Sequence, residues 1–517
     1  MFKRILIANR GEIAIRVIRT CREMGIESVA VYSDADRNAL HTRLADSSHN
    51  IGPPLAIQSY LDQDKIVDVA QKAGAEAIHP GYGFLAENPM FAEKCERAGI
   101  VFIGPTSKAL AKSGDKVESR RIAKEARIPV TPGSDGSVRS ERTAVRVAEE
   151  IGFPIILKAS AGGGGISMAI VRSLEELPSS LKVAKSSSLS SFGSDEIFIE
   201  KYLKPARHIE FQILADSDGR VIHLGERECS IQRRFQKLIE ESPSPIVDKK
   251  MRKKVGELAV RAAKATGYLN AGTMEFLHHE GKFYFNEINA RLQVEHPVTE
   301  FVTGTDLVQQ QMHIAAGEPL TLKQKDIKLK GWSMECRINA ENPYENFLPS
   351  PGRIESYDMP SSSDVRVDSG VEAGSEVPTY YDPLFAKVIV WADSRDEAIK
   401  MMKRALAKIR IGGIETNIPF HLKLLGNERF KRGDIDTGLV EDSGIPERLR
   451  KEGERRVHEE RLAAAAVAAF LFQMPEEMRR FSRRKLDITG FDRLSPWTRA
   501  GRREQLKKRM NADEIQF

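Results

Sequence analysis

The stretch FNEINARLQVEHPVTE, residues 285–300, decides how this chain is read. It opens with the alternation of a strand, in which successive side chains point to opposite faces. Glu287, Asn289 and Arg291 then project together, while Ile288 and Ala290 face the other way. Two oxygen donors beside a guanidinium make a place where a divalent cation and an anion sit side by side. Magnesium takes oxygen ligands, commonly one or two carboxylates together with substrate phosphates. Arginine offers a planar fork suited to carboxylate, phosphate or bicarbonate. The competing reading, a salt-bridged surface strand, loses ground as neighbouring segments are added. Glu275 in GTMEF and Glu287 in FNEIN lie on strand-like runs separated by HHEGK. A hairpin there sets the two carboxylates side by side, as two ligands of one metal require.

Upstream, Gly162–Gly165 follow the strand-like FPIILKA (153–159) and its Lys158. Glycines let successive backbone N–H groups form an anion nest, so the segment reads as a phosphate loop or as a flexible linker. GK[ST] is missing, which excludes a Walker A loop. A second strand-like run, EIFIEKYL (196–203), ends in EKYL, where Glu200 and exposed backbone can read the amino group and ring edge of adenine. Between the two runs, the Ser-rich SSLKVAKSSSLSSFGS (179–194) predicts a mobile connector. Lys116 and His208 carry little information by themselves.

The first ~110 residues alternate the apolar runs RILIA, SVAVYS, AIHP and IVFIG with amphipathic stretches such as GEIAIRVIRTCREMG and DQDKIVDVAQKAG. That pattern predicts a parallel sheet covered on both faces. ANRGE after the first run lacks GxGxxG, which argues against NAD binding. From about 205 to 446, FQILAD, VIHLGERECSIQRR, GTMEFLHH, KFYFNEINA and FAKVIVWA read as antiparallel strands with turn signals. Residues from about 447 read as charged helices.

A chain of 517 residues, 41% hydrophobic and 29% charged, has the composition of a soluble globular protein of three or so domains. No apolar run reaches the ~20 residues of a membrane span. LAAAAVAAFLF (462–472) is short and Ala-rich and predicts a packed helix. The N-terminus runs directly into a strand without a cleavable signal pattern. The four cysteines are far apart with no CxxC, so neither a disulfide framework nor a zinc site is expected, and the location is cytoplasmic. The net charge of +6 arises in the tail: 18 of 79 Lys/Arg and 12 of 73 Asp/Glu lie from Glu447 onward, leaving 61 of each before it. RRK (483–485) and KKR (507–509) fit a solvated face or an acidic partner better than nucleic acid, for which no motif is present.

In order, ILIANRGEIAIRVIRTCREMG, HPGYGFLAEN, FIGPTSKAL with GDK, LKASAGGGG, ECSIQRR with QK, FNEINARLQVEHPVTE and ECRINAE extend over residues 1 to about 446. On these motifs the chain resembles the biotin carboxylase component of biotin-dependent carboxylases, an ATP-grasp enzyme and a ligase forming a carbon–nitrogen bond. RLQVEHPVTE is the most specific of them. The resemblance implies an α/β and α+β architecture: a Rossmann-like N-terminal domain (1–113), an ATP-grasp domain (114–330) with a mobile lid at about 130–204, a mixed C-terminal domain (331–446) and a helical tail (447–517). It places ATP near Lys116, Lys158, Gly164, Gly165, Glu200, Lys201, Leu203 and His208. Magnesium or manganese, two ions in all, falls to Glu275, Glu287 and Asn289. Bicarbonate falls to Lys237, Arg291, Gln293 and the backbone of Val294. Glu295 becomes the base, Arg337 the stabiliser of the biotin oxyanion, and Tyr82 part of the biotin pocket. The chain departs from the pattern at Phe235, where a His is usual, and at Ser167, where a further Gly is usual.

No AMKM-like biotinylation motif occurs, so biotin is expected on a separate biotin carboxyl carrier protein and the acceptor on a carboxyltransferase subunit, with the tail docking on one of them. A homodimer is expected through regions containing Arg19, Glu23 and Arg366. Acetyl-CoA, propionyl-CoA and pyruvate all remain compatible as acceptor, a CoA ester being preferred and pyruvate carboxylase being the alternative. The rivals are another carboxylate-phosphorylating ATP-grasp ligase, such as a carbamoyl-phosphate synthetase half, and a non-catalytic nucleotide-binding scaffold protein.

Overall fold

In the N-terminal segment β1 (Arg4–Ile7), β2 (Glu27–Ser33), β3 (Ser47–Gly52), β4 (Ala77–His79) and β5 (Val101–Phe102) pair in parallel in the order β3-β2-β1-β4-β5. The period of two decides which face each side chain serves. Ile5 and Ile7 pack with Ile13, Val17 and Ile18 of the helix Gly11–Glu23, whereas Leu6 and Ala8 pack with Ile66 and Ala70 of the helix Gln63–Lys72. Helices cover both faces, as the alternating pattern predicts. β3 is missing from the sequence reading because SSHNIG is polar and poor in strand formers; it lies at the sheet edge. The computed structural model describes residues 1–160 and 168–473.

β6 (Ile155–Ala159), β7 (Ala169–Val171) and β8 (Ile197–Lys201) form a small antiparallel sheet in the order β7-β6-β8. The Ser-rich connector is a helix, Leu177–Phe192, and corrects the expectation of a mobile link. Leu177, Leu181, Ala184 and Ser188 recur at three- and four-residue spacing and are buried, so a helical stripe was hidden among the serines. Gly193, at φ 72, ends the helix in the left-handed conformation.

The central framework is one antiparallel sheet of eight strands. It comprises β9 (Arg207–Ala215), β10 (Val221–Arg233), β11 (Gln236–Ser242), β12 (Asn270–His279), β13 (Lys282–Asn289) and β14 (Trp332–Asn339), continued by Leu384–Ala392 and then Val365–Ser369. The order is β13-β12-β9-β10-β11-β14 before those two strands, so residues distant in sequence meet on one surface.

Met1–Arg450 form one compact unit, and among the described residues those from Lys451 onward belong to a second. The helix Ile445–Gln473 includes the Ala-rich run, but Arg461–Ala466 are exposed and Leu462 is 57% exposed, so over those residues it is not the packed helix expected. Alanine favours helix strongly yet buries little apolar area. The clusters at 483–485 and 507–509 lie outside the described residues. No helix among the described residues is long and apolar enough to cross a membrane. Cys21, Cys95, Cys229 and Cys336 are free and buried.

Burial pushes His41 and His421 down to about 4 and His79 down to about 3, all three fully enclosed. Each stays neutral in the folded chain, while the unfolded chain takes up a proton below roughly pH 6.5. Their contribution is therefore present above pH 6.5 and lost as pH falls toward 4, by up to about 3–5 kcal/mol per residue. Denaturant titrations at pH 7.5, 5.5 and 4.5 are expected to show a steep loss, made shallower by His41→Asn.

Candidate active site

β12 and β13 join through Glu280 and Gly281, both at positive φ (47 and 75), a two-residue turn matched to strand twist. The register sets Glu275 opposite Glu287 and Thr273 opposite Asn289. It shifts between Glu275 and Phe276, leaving Asn286 as an extra residue. The Asn286 amide donates to Glu275 Oε2 (3.2 Å) and accepts from Lys158 Nζ (3.2 Å). On β9, Glu210 lies opposite Glu275, and Arg227 of β10 lies opposite Glu210. Glu287, Glu275, Glu210 and Arg227 thus form one row across four strands.

Lys237, on β11, reaches into this row. Its Nζ contacts Glu210 Oε2 at 2.6 Å, Glu275 Oε1 at 3.0 Å and Glu295 Oε1 at 2.6 Å. Glu295 is fully buried where the loop after β13 enters the helix His296–Thr303. Its Oε2 accepts from Arg337 at 2.9 Å, and Arg337 Nε donates to Glu240 at 2.6 Å. Asn417 and His421 hold the Arg337 carbonyl at 3.0 and 2.7 Å, fixing that strand under the site. Arg291, just beyond the strand, donates to Glu87 (3.0 Å) and to Asn289 Oδ1 (3.2 Å). With its amide turned to suit, Gln293 donates to Glu295 Oε1 and accepts from Arg291, both at 3.1 Å. The Val294 carbonyl accepts from Lys387 at 2.7 Å.

On the lid side, Lys116 Nζ sits 3.1 Å from Glu287 Oε2, and Lys158 Nζ sits 2.6 Å from Glu200 Oε2. Arg120 pairs with the same Glu200, so that carboxylate arrives already neutralised. The Lys201 ammonium donates to the carbonyls of Gly152 (3.1 Å) and Phe153 (2.8 Å) and ties lid backbone together. His208 Nε2 lies 3.1 Å from Glu275 Oε2, though poorly aligned as a hydrogen bond, and its Nδ1 lies 2.8 Å from the Gln232 amide. Tyr82 follows Gly81, at φ 63, where an added Cβ meets the Asn9 amide at 2.9 Å; its hydroxyl donates to Glu12. Phe235 shares a two-residue turn with Arg234, both at positive φ (64 and 51), and is half-exposed. Gly164, Gly165 and Ser167 lie outside the described residues.

The charges compensate closely. Burial alone raises a carboxyl, yet His208 and Lys237 hold Glu275 well below the usual range, and Lys237, Arg337 and Arg227 do the same for Glu295. Burial lowers an ammonium, yet Glu210, Glu275 and Glu295 together raise Lys237 well above its ordinary value. Both carboxylates are ionised and Lys237 is charged at neutral pH. Behind Arg337, burial pushes Glu240 up to about 7 and Glu335 well above the carboxylate range.

One cleft of about 1090 Å³ is lined by every described candidate except Glu295, which lies immediately beneath Lys237 and Arg337. That volume suits a nucleotide with a second small substrate. The groupings of Glu210 with Glu275 and with Glu295 hold the Lys237 ammonium, as Glu287 holds that of Lys116. The Glu275–Glu287 edge and Asn289 line the cleft; the Asn289 amide donates to Glu275 (2.7 Å), and the carboxylate oxygens, freed from their ammonium partners, would fit a hard divalent ion. Lys116 and Lys158 fit the phosphates such an ion would accompany.

A small antiparallel sheet and a large antiparallel sheet lining one cleft, with lysines on the first and paired carboxylates on the second, define an ATP-grasp ligase. Residues 1–110 match "Biotin carboxylase, N-terminal domain", 115–323 "Carbamoyl-phosphate synthase L chain, ATP binding domain" and 335–442 "Biotin carboxylase C-terminal domain". One subunit of the pyruvate carboxylase of Methanothermobacter thermautotrophicus is 54% identical over 87% of this chain and 92% of that protein. Biotin carboxylase 1 of Bacillus subtilis is 53% identical over 85% of this chain and 98% of that protein. The biotin carboxylase domain dimer of Hydrogenobacter thermophilus 2-oxoglutarate carboxylase, solved with MgADP, ADP and bicarbonate, superposes with a TM-score of 0.84 at 48% identity, covering 86% of this chain and 99% of that one. The chain belongs to the biotin carboxylase family, whose members carboxylate biotin at the expense of ATP.

Sequence reading missed Glu210, Arg227, Glu240, Asn286 and Glu87, which hold the candidates in place. A signal existed for Glu210: in HIEFQI, His208, Glu210 and Gln212 alternate with apolar residues, marking a polar face turned inward. For Glu87 and Glu240 the partners lie 204 and 97 residues away, and no local pattern announces them.

Proposed function

We propose that this chain phosphorylates bicarbonate with ATP and transfers the resulting CO2 to biotin on a separate carrier protein, in the cytoplasm, as the first half-reaction of an acetyl-CoA or propionyl-CoA carboxylase. One observation carries the reading: Lys237 bridges Glu295 to the Glu275 of the paired-carboxylate edge, so a buried base lies one ammonium away from carboxylates that line the cleft. ATP lies against Lys116, Lys158, Glu200, Lys201, Leu203 and His208, with Glu275, Glu287 and Asn289 holding magnesium or manganese. When bound, the metal neutralises phosphate charge. Bicarbonate lies among Lys237, Arg291, Gln293 and the Val294 backbone. Its arrival diverts part of the charge of Lys237 from Glu295, which regains basicity. Glu295 then takes the bicarbonate proton, a carbonate oxygen attacks the γ-phosphorus, and ADP leaves. Carboxyphosphate breaks into CO2 and inorganic phosphate beside biotin; the phosphate takes the ureido N–H proton, Arg337 stabilises the resulting oxyanion in a pocket framed by Tyr82, and the ureido nitrogen bonds to CO2. Lid closure excludes water from that intermediate.

The division 1–113, 114–330, 331–446 and 447–517 is kept as the working architecture. A homodimer through Arg19, Glu23 and Arg366 is part of the reading. Arg366 pairs with Asp368 and Glu300 (2.6 and 2.7 Å) and Arg19 with Asp368 (3.4 Å), which ties helix Gly11–Glu23 to the sheet edge. The tail docks on the carrier or on the transferase, and truncation after residue 446 is expected to abolish co-purification. The 54% identity to a component of a pyruvate carboxylase favours pyruvate as the second reading of the acceptor. The transferase that co-purifies decides between them. ADP release requiring both bicarbonate and free biotin tests the activity; nucleotide binding without such release would favour the scaffold reading.

A further inference from the structure

The side of the cleft bearing Arg337 and Tyr82 ends at a rim built from two distant segments. Ala56 and Tyr380 line the cavity, and flanking them Leu55 (52%), Ile57 (71%) and Tyr380 itself (52%) are exposed to solvent. Three apolar side chains left in water at the mouth of a substrate cavity are unlike the singly scattered exposed residues of an ordinary surface.

The rim is held rigid from behind. The Tyr381 hydroxyl donates to the Pro54 carbonyl at 2.5 Å and meets Ser33 Oγ at 2.6 Å, tying the PPLAIQ turn to the second segment. Tyr381 stands edge-on to the stacked pair Tyr60 and Phe84, with ring centroids 5.4 and 6.1 Å away. Its face carries the Arg10 guanidinium at 4.5 Å, which is itself held by two hydrogen bonds to Asp36 (2.6 and 2.7 Å). An aromatic cluster locked by a buried ion pair presents its outer apolar atoms in a fixed arrangement, which lowers the ordering cost of docking a partner.

We propose that Leu55, Ile57 and Tyr380 form the docking surface for the body of the biotin-bearing carrier domain. The inference rests on the carrier-dependent function proposed above. Continuity decides the occupant: the cavity behind the rim leads to Arg337, so a domain delivering tethered biotin there halts at this rim with its own surface against it. Apolar anchors at the centre of a small interface carry most of its binding energy, and an introduced charge opposes desolvation there.

Leu55→Glu and Ile57→Glu lie outside the catalytic groups and test this in the full chain. The biotinylated carrier protein of the same organism and free biotin serve as parallel substrates, with binding to the immobilised carrier read separately. The expected result is a KM for carrier-borne biotin raised at least tenfold and carrier binding weakened in proportion, with free-biotin kcat/KM unchanged within twofold. Ile57→Ser, a milder change, is expected to give the same split at smaller size. Unchanged carrier kinetics, equal losses on both substrates, or a changed oligomeric mass, which would mark a contact between copies of this chain, would each overturn it. A parent protein that binds the carrier but turns over neither substrate would defeat the functional reading and leave the docking surface standing.

Discussion

Glu295→Gln is expected to lower bicarbonate- and biotin-dependent ADP release by roughly 10²–10⁴-fold, the range for loss of a positioned general base. The substitution keeps size and hydrogen-bonding capacity and removes the basic oxygen. The cations around it retain other partners: Lys237 keeps Glu210 and Glu275, and Arg337 keeps Glu240. Folded stability is therefore expected to fall by only about 1–3 kcal/mol, as for one charged hydrogen bond lost. Nucleotide affinity is expected to stay within about threefold of the parent, since Glu295 is outside the proposed nucleotide set. A loss below tenfold in turnover would remove Glu295 from the proton-transfer role.

Lys237→Met is expected to be severe in a different way. It removes the cation shared by three buried carboxylates, each of which keeps a second partner: Arg227 for Glu210, His208 for Glu275 and Arg337 for Glu295. Breaking such a cluster from one side costs about 3–5 kcal/mol, and turnover should fall as bicarbonate loses its counter-charge. The sign with pH follows from linkage. Without Lys237 the folded-state affinity of Glu275 and Glu295 for protons rises, so the folded variant takes up protons as pH falls and regains stability relative to the parent. Denaturation midpoints of parent and variant are expected to draw together as pH falls. A constant gap would mean that the ammonium contributes packing rather than charge.

The candidate site was legible where chemistry lies in a contiguous stretch. The run around Glu287, Asn289, Arg291, Gln293 and Glu295 exposes its residue types in one reading, and the HHEGK turn fixes the pairing of Glu275 with Glu287. What escaped is what non-local pairing creates. Lys237 meets Glu295 across 58 residues because the start of helix His296–Thr303 packs on β11, and Arg337 meets Glu240 across 97 because β11 and β14 are neighbours in the sheet though not in the chain. The fold was legible to the same extent. Apolar runs gave the parallel sheet except its polar edge strand β3, and serine composition concealed the helix Leu177–Phe192, whose buried stripe is visible only when spacing is weighed above residue type.

In the proposed reaction the Lys237–Glu295 cluster and the Glu275–Glu287 edge together let bicarbonate attack the terminal phosphate of ATP. Turnover with ¹⁸O-labelled bicarbonate tests it most directly, with inorganic phosphate analysed by mass. One ¹⁸O atom delivered to phosphate per ADP formed is the expected result; phosphate free of label, with ADP still released, would contradict attack by bicarbonate.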